Sequence, residues 1–221
     1  MHNKMKGIIG GVVGLVVVLI LALTLGGADN SPEAVAQRTI SMGEDLIEGL
    51  KNAENKDDIK SLYKNTVGNF ADMIPGALTG FQSYVESKGG IEKMQEPENQ
   101  EAMMEEFKDE MADFIALGGK FDNLEKDEAL AKKMEKIGNE FTDEDAAELL
   151  KFTLDTAKET IEDIANDADA LKALNWLAAT GGGPSGEQMT KESLLKIVSD
   201  YEKEMKGKSP ADLMQMFQRM F

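Results

Sequence analysis

The sequence predicts an all-α protein: an N-terminal single transmembrane helix followed by an acidic multi-helix bundle. Three observations carry this. Apolar residues recur at helical spacing beyond residue 31, and no segment alternates as a half-buried strand would. Only five of the 221 residues are proline, and Ala, Leu, Glu, Lys and Met predominate, as good helix formers do. Near the start, Ile8 to Leu25 (IIGGVVGLVVVLILALTL) is an uncharged run of 18 residues.

That run sets the first two segments. As a helix, 18 residues extend about 27 Å, against a hydrocarbon thickness of roughly 30 Å. Residues 1–6 form a short head containing Lys4 and Lys6, and residues 7–28 a signal anchor. Lysines before the span and Asp29 and Glu33 after it predict a cytoplasmic N-terminus and an extracytoplasmic body. The alternative is a signal peptide cleaved near Ala28, where Gly26-Gly27-Ala28 supplies small residues. The run exceeds the apolar core usual in cleaved signals, which favours the anchor. Gly7, Gly10, Gly11 and Gly14 make two small-x-x-x-small spacings, a candidate face for close helix packing in the membrane.

The body, residues 31–180, reads as a bundle. Ser31-Pro32 starts the first helix with a capping hydroxyl and a proline at the first helical position. Its stripe is Val35, Ile40, Leu46, Ile47 and Leu50. Asp57 is expected to cap a second helix carrying Ile59, Leu62, Tyr63, Val67, Phe70 and Ile74, kinked or ended at Pro75-Gly76. Leu78, Phe81, Tyr84 and Val85 continue to a stop at Gly89-Gly90. Residues 91–99 read as a linker.

Met103, Met104, Phe107, Met111, Phe114 and Ile115 make the next stripe, ended by Gly118-Gly119. A shorter helix holds Leu124, Leu130, Met134 and Ile137 and closes at Gly138-Asn139. Thr142-Asp143-Glu144-Asp145 is a capping signal, with acids placed to complement the helix dipole. Ala147, Leu150, Leu154, Ala157, Ile161, Ile164, Ala168 and Leu171 follow with a 3.5-residue repeat, but the flanking positions lack complementary charges. A long helix in an antiparallel bundle, breaking near residues 166–169, is therefore favoured over a coiled-coil dimer. Trp176, among Leu174, Leu177 and Ala178, reads as core.

Residues 181–189 form a Gly-rich linker, and residues 190–221 a C-terminal helical pair docked on the bundle. Thr190 caps the first, with Leu194, Val198, Tyr201 and Met205 inward. Ser209-Pro210 starts the second. Its Leu213, Met214, Met216, Phe217, Met220 and Phe221 segregate from Asp212, Gln215, Gln218 and Arg219. This apolar face is a candidate surface for docking on the bundle or on a partner protein, where flexible Met side chains adapt well.

Composition removes whole chemistries. There is no cysteine, and the single histidine is His2, so the body has no thiolate nucleophile, histidine base or Cys/His zinc site. The formal charge is −17 overall. Residues 31–221 hold 22 bases and 40 acids, a net −18, which opposes binding to nucleic acid or anionic lipid. Gly207-Lys208-Ser209 lacks the earlier glycine of a phosphate loop. Ser61/Lys64 and Ser193/Lys196 match a Ser-x-x-Lys spacing without its companion motifs. Asp167-Ala168-Asp169 lacks the glycine and terminal glutamate of a calcium loop. No cofactor, metal site or catalytic residue is expected. The functional expectation is a membrane-anchored exported module acting by protein–protein contact or self-association in the cell envelope. Alternatives are a cleaved soluble exported binding protein and an exported carboxylate-dependent hydrolase.

Overall fold

The computed structural model describes residues 31–94, 96–180 and 189–205. These fold into helices α1 (Pro32–Asn52), α2 (Lys56–Ser87), α3 (Ile91–Met94), α4 (Pro97–Glu106), α5 (Lys108–Lys126), α6 (Glu128–Gly138), α7 (Asp143–Asn166), α8 (Ala168–Thr180) and α9 (Lys191–Met205). No strand occurs among the described residues. The all-α expectation holds for the described residues. Among the described residues no helix is long and apolar enough to cross a membrane; the run Ile8–Leu25 lies outside them.

Local signals explain most helix ends. Ser31 accepts a hydrogen bond from the Ala34 amide at 3.2 Å and opens α1. Thr142 and Asp145 form a reciprocal capping box at the start of α7. Gly89 and Gly90 take φ of 90° and 96°, a backbone region glycine enters without strain, and end α2. α7 ends at Asn166, and Asp167 then caps α8 through the amides of Asp169 (2.9 Å) and Ala170 (3.0 Å).

Five expectations about helix boundaries are corrected. The cap of α2 is Asn55, not Asp57: its side chain accepts from the amides of Asp57 and Asp58, and Asp58 reaches back to the cap. α2 neither ends nor restarts at Pro75-Gly76 but runs 32 residues through them, packed along its length. Residues 91–99 are not a linker: they contain α3 and the start of α4. The Met-rich stripe is broken at Phe107, whose φ of −100° and ψ of 17° turn the chain between α4 and α5. It is not broken at Gly118-Gly119, which lie inside α5, so Leu124 belongs to α5 and not to the next helix.

α2 is the central helix, packing on α1, α7 and α8. α1 forms an antiparallel hairpin with it, and Leu62 fills the space left by Gly49. Contrary to the antiparallel expectation, α7 runs parallel to α2: Lys56 meets Asp145, Tyr63 meets Thr153, and Ile74 and Leu78 share a cluster with Ile161 and Ile164. A second cluster joins Ala53, Met134 and Ile137 with Leu50, Ile59, Leu130 and Phe141 at the α1–α2 turn. Two helices form outer layers. α5 lies on α1, with Leu117 seated over Gly43, and α9 lies on α7, with Leu194 buried beside Ile164 and Ala165. Trp176 is half-buried, edge-on to Phe81 at 5.6 Å between ring centres.

Candidate functional site

Charged chemistry concentrates where α2 meets α7. Lys56, Lys60 and Lys64 are spaced by four, so they share one face of α2. Asp145 and Glu148, three apart, face them from the first turns of α7. Lys56 Nζ donates to Asp145 Oδ2 at 2.8 Å and Lys60 Nζ to Asp145 Oδ1 at 3.0 Å. Lys60 also binds Glu148, and Lys64 Nζ donates to Glu148 Oε1 at 2.6 Å. The Asp145 side chain is only 9% exposed. Beyond the ladder, Thr153 donates to the Leu149 carbonyl, so the 2.7 Å bond between Tyr63 and Thr153 is donated by the tyrosine.

The Lys56 ammonium, the Thr142 amide and Lys60 together hold the Asp145 carboxyl well below the usual carboxylate range. Glu148 and Asp145 raise Lys60 above the usual lysine value. Lys60 and Lys64 lower Glu148. All three groups move away from neutrality, whereas a general acid or base works best near the operating pH. By geometry the ladder is a charged clasp between two parallel helices.

A second cluster fixes the start of α5. Glu106 accepts from Tyr84 at 3.0 Å and from Lys88 at 2.7 Å. Phe107 is buried, edge-on to Tyr84 at 5.6 Å. The Lys88 ammonium lies 5.1 Å from the Tyr84 ring centre. Lys88 lowers Glu106, while burial, then Glu106, raises Tyr84. Farther along, a shallow groove of about 520 Å³ between α1 and α5 is lined by Glu44, Ile47, Glu48, Lys51, Asn52 and Lys120. Its walls are charged, and Glu44 pairs with Lys120.

The outer surface of α5 is different in kind. Ile115 is 77% exposed and Met111 41%, with Met104 of α4 at 57%. Around them Ala112, Ala116, Gly118 and Gly119 are exposed as well. A Cβ built at Gly118 or Gly119 would meet no packing neighbour within 4 Å among the described residues. An uncharged helix face of this kind can cover, and be covered by, another apolar surface.

The sequence-derived site residues fall elsewhere. Gly7, Gly10, Gly11 and Gly14, and Leu213, Met214, Met216, Phe217, Met220 and Phe221, lie outside the described residues, as does Gly207-Lys208-Ser209. Of the weighed motifs, Lys64 is committed to Glu148 and Lys196 to Asp200. Ser193 is engaged in capping α9 with Thr190. Asp167 caps α8. Among the described residues no group of three or more His, Cys, Asp or Glu is placed to hold a metal ion. The lysine ladder had a sequence signal, the four-residue spacing of 56, 60 and 64, though nothing local named its partners. Met111 and Ile115 of the α5 face belong to the apolar stripe that the periodicity identifies, and the structure places them at the surface.

Comparison of the chain with protein-family models, curated proteins and solved structures finds no match.

Proposed function

We propose that residues 7–28 anchor the chain in a membrane with its N-terminus cytoplasmic, and that the acidic helical body acts outside by contact with protein. The observation that carries this is the uncharged run Ile8–Leu25 ahead of a body with net charge −18. Such a body repels nucleic acid and anionic lipid, yet its α5 surface exposes Met111 and Ile115. That combination supports a protein surface as the counterpart.

The test uses the full chain with a C-terminal tag. Retention in the membrane after alkaline washing, an N-terminal peptide containing residues 1–28, and digestion of the body by external protease are expected. A stoichiometric protein partner, of the same or another chain, should co-purify in mild detergent. A mature chain beginning at Asp29 would replace the anchor by a cleaved signal, for which Gly26-Gly27-Ala28 speaks. A monomeric mass with no partner would overturn the contact reading.

A further inference from the structure

We propose that the outer face of α5 pairs with the same face of a second copy of this chain, antiparallel and centred on Ile115. This gives the proposed contact its partner and rests on that reading. At 100° per residue, Lys108, Met111, Ala112, Gly118, Gly119 and Asp122 lie within about 60° of Ile115, with Lys126 farther along the same line. Phe114, Leu117, Phe121 and Leu124, half-buried or buried, lie on the opposite side against the bundle. The outer arc thus has an uncharged centre between a lysine and an aspartate.

Two observations select a self-pair. The first is charge complementarity. In an antiparallel pair crossing at residue 115, position n faces position 230 − n. Lys108 then faces Asp122 of the second copy, twice over, while Met111 faces Gly119, Ala112 faces Gly118 and Ile115 faces itself. A parallel pair would set Lys108 against Lys108. Lys108 is free to turn outward, since its bond to Glu105 joins side chains 65% and 74% exposed, and such pairs hold weakly.

The second is the glycines. Glycine inside a helix is unfavourable relative to alanine, so its presence calls for a reason. At Gly43 the reason is internal, because an added Cβ would come within 2.6 Å of Leu117. At Gly118 and Gly119 no packing neighbour among the described residues occupies the space. A Met111 side chain from a facing helix would fill it, and small residues there let two backbones approach closely.

The chain has no cysteine, so single-cysteine variants of the full chain report proximity cleanly. In native membranes, Ile115→Cys should cross-link to itself with a short bismaleimide, at several times the yield of Asp57→Cys, which reports anchor-driven encounters alone. Mixed Lys108→Cys and Asp122→Cys chains should cross-link to each other and not to themselves. Gly118→Ala and Gly119→Ala should raise the thermal midpoint by a few degrees while lowering the Ile115→Cys yield several-fold. A yield at Ile115→Cys no higher than the control, Lys108→Cys joining itself, or alanines that leave the yield unchanged would overturn the pairing. So would Ile115→Cys joining a cysteine at Met216 of the same chain, which would mean that the terminal segment covers the face. If the pairing fails and a different protein co-purifies in stoichiometric amount, the contact reading survives; if neither is found, both fall.

Discussion

α5 and α9 occupy equivalent places in the bundle, each an outer helix laid on one inner neighbour, yet they present opposite surfaces. Both bury a leucine inward: Leu117 is 3% exposed and Leu194 5%. Outward, α9 is laced with charge, with Lys196 and Lys203 on Asp200 and Glu202 held by Lys158 of α7 at 2.5 Å. Its Ile197 is exposed among them. α5 instead exposes Met111, Ala112, Ile115, Ala116, Gly118 and Gly119, an uncharged centre with Lys108 and Asp122 only at its two ends. Outer position therefore does not dictate an apolar surface. The difference lies in the residues chosen, and the inner faces provide the internal control.

The largest expected effect tests that control. Leu117→Ala and Leu194→Ala should each cost about 2–4 kcal/mol, the range for a buried leucine truncated in a packed core, and should agree within about 1 kcal/mol. Urea unfolding of the full chain in detergent, followed by circular dichroism, measures both. A small value for Leu117 alone would mean that α5 is loosely held and its outer face incidental.

Next comes the clasp between α2 and α7. Asp145→Ala leaves Lys56 and Lys60 facing each other and should cost about 2 kcal/mol, tempered by the partial exposure of both lysines. The carboxyl is depressed in the fold, so its contribution is complete above the ordinary aspartate value of 3.8 and is lost as pH falls below it through the folded value. Acid unfolding of Asp145→Asn should accordingly show a flatter limb below about pH 4. At the other extreme, the raised Lys60 contributes fully below its ordinary 10.5 and loses that contribution as pH climbs through its folded value. An unchanged acid limb in the variant would remove the clasp from the account.

The smallest effect sharpens the contrast between the edges. Ile197→Ser and Ile115→Ser should each shift the unfolding midpoint of the dilute chain by less than about 0.5 kcal/mol, as exposed substitutions do. Only Ile115→Ser should reduce association, measured by light scattering in detergent. Equal loss from both would erase the distinction.

Much of the architecture was readable from short-range chemistry. The caps at Ser31 and Thr142, the stop at Gly89-Gly90 and the break after Asn166 all depend on groups within five residues of each other, and all were visible. Misreadings came where distant packing outweighs a local rule. Pro75 ends many isolated helices, but here α1, α7 and α8 pack on α2 and the helix continues through it. Gly118-Gly119 resembles a terminus, but flanking side chains on the α1 face carry α5 across it. Phe107 carries no turn signature; its burial against Tyr84 sets the bend. The clasp joins residues 84 to 89 positions apart, beyond the reach of any helical periodicity. The face on α5 was visible as a stripe, but a stripe does not tell which side of it has a neighbour.

The parallel run of α2 and α7 also governs the order in which the molecule can assemble. Antiparallel α1 and α2 need only a short turn, so their hairpin closes a small loop. Parallel helices need a return journey, and α3 to α6 supply it, carrying the chain back along the bundle before α7 begins. Closing that circuit restricts a much longer stretch of chain, an entropic penalty that grows slowly with length but precedes any reward from the seam. The hairpin should therefore form early and the α2–α7 seam late. The apolar arc of α5 is carried on this crossover, so a newly made chain exposes it before the bundle is complete.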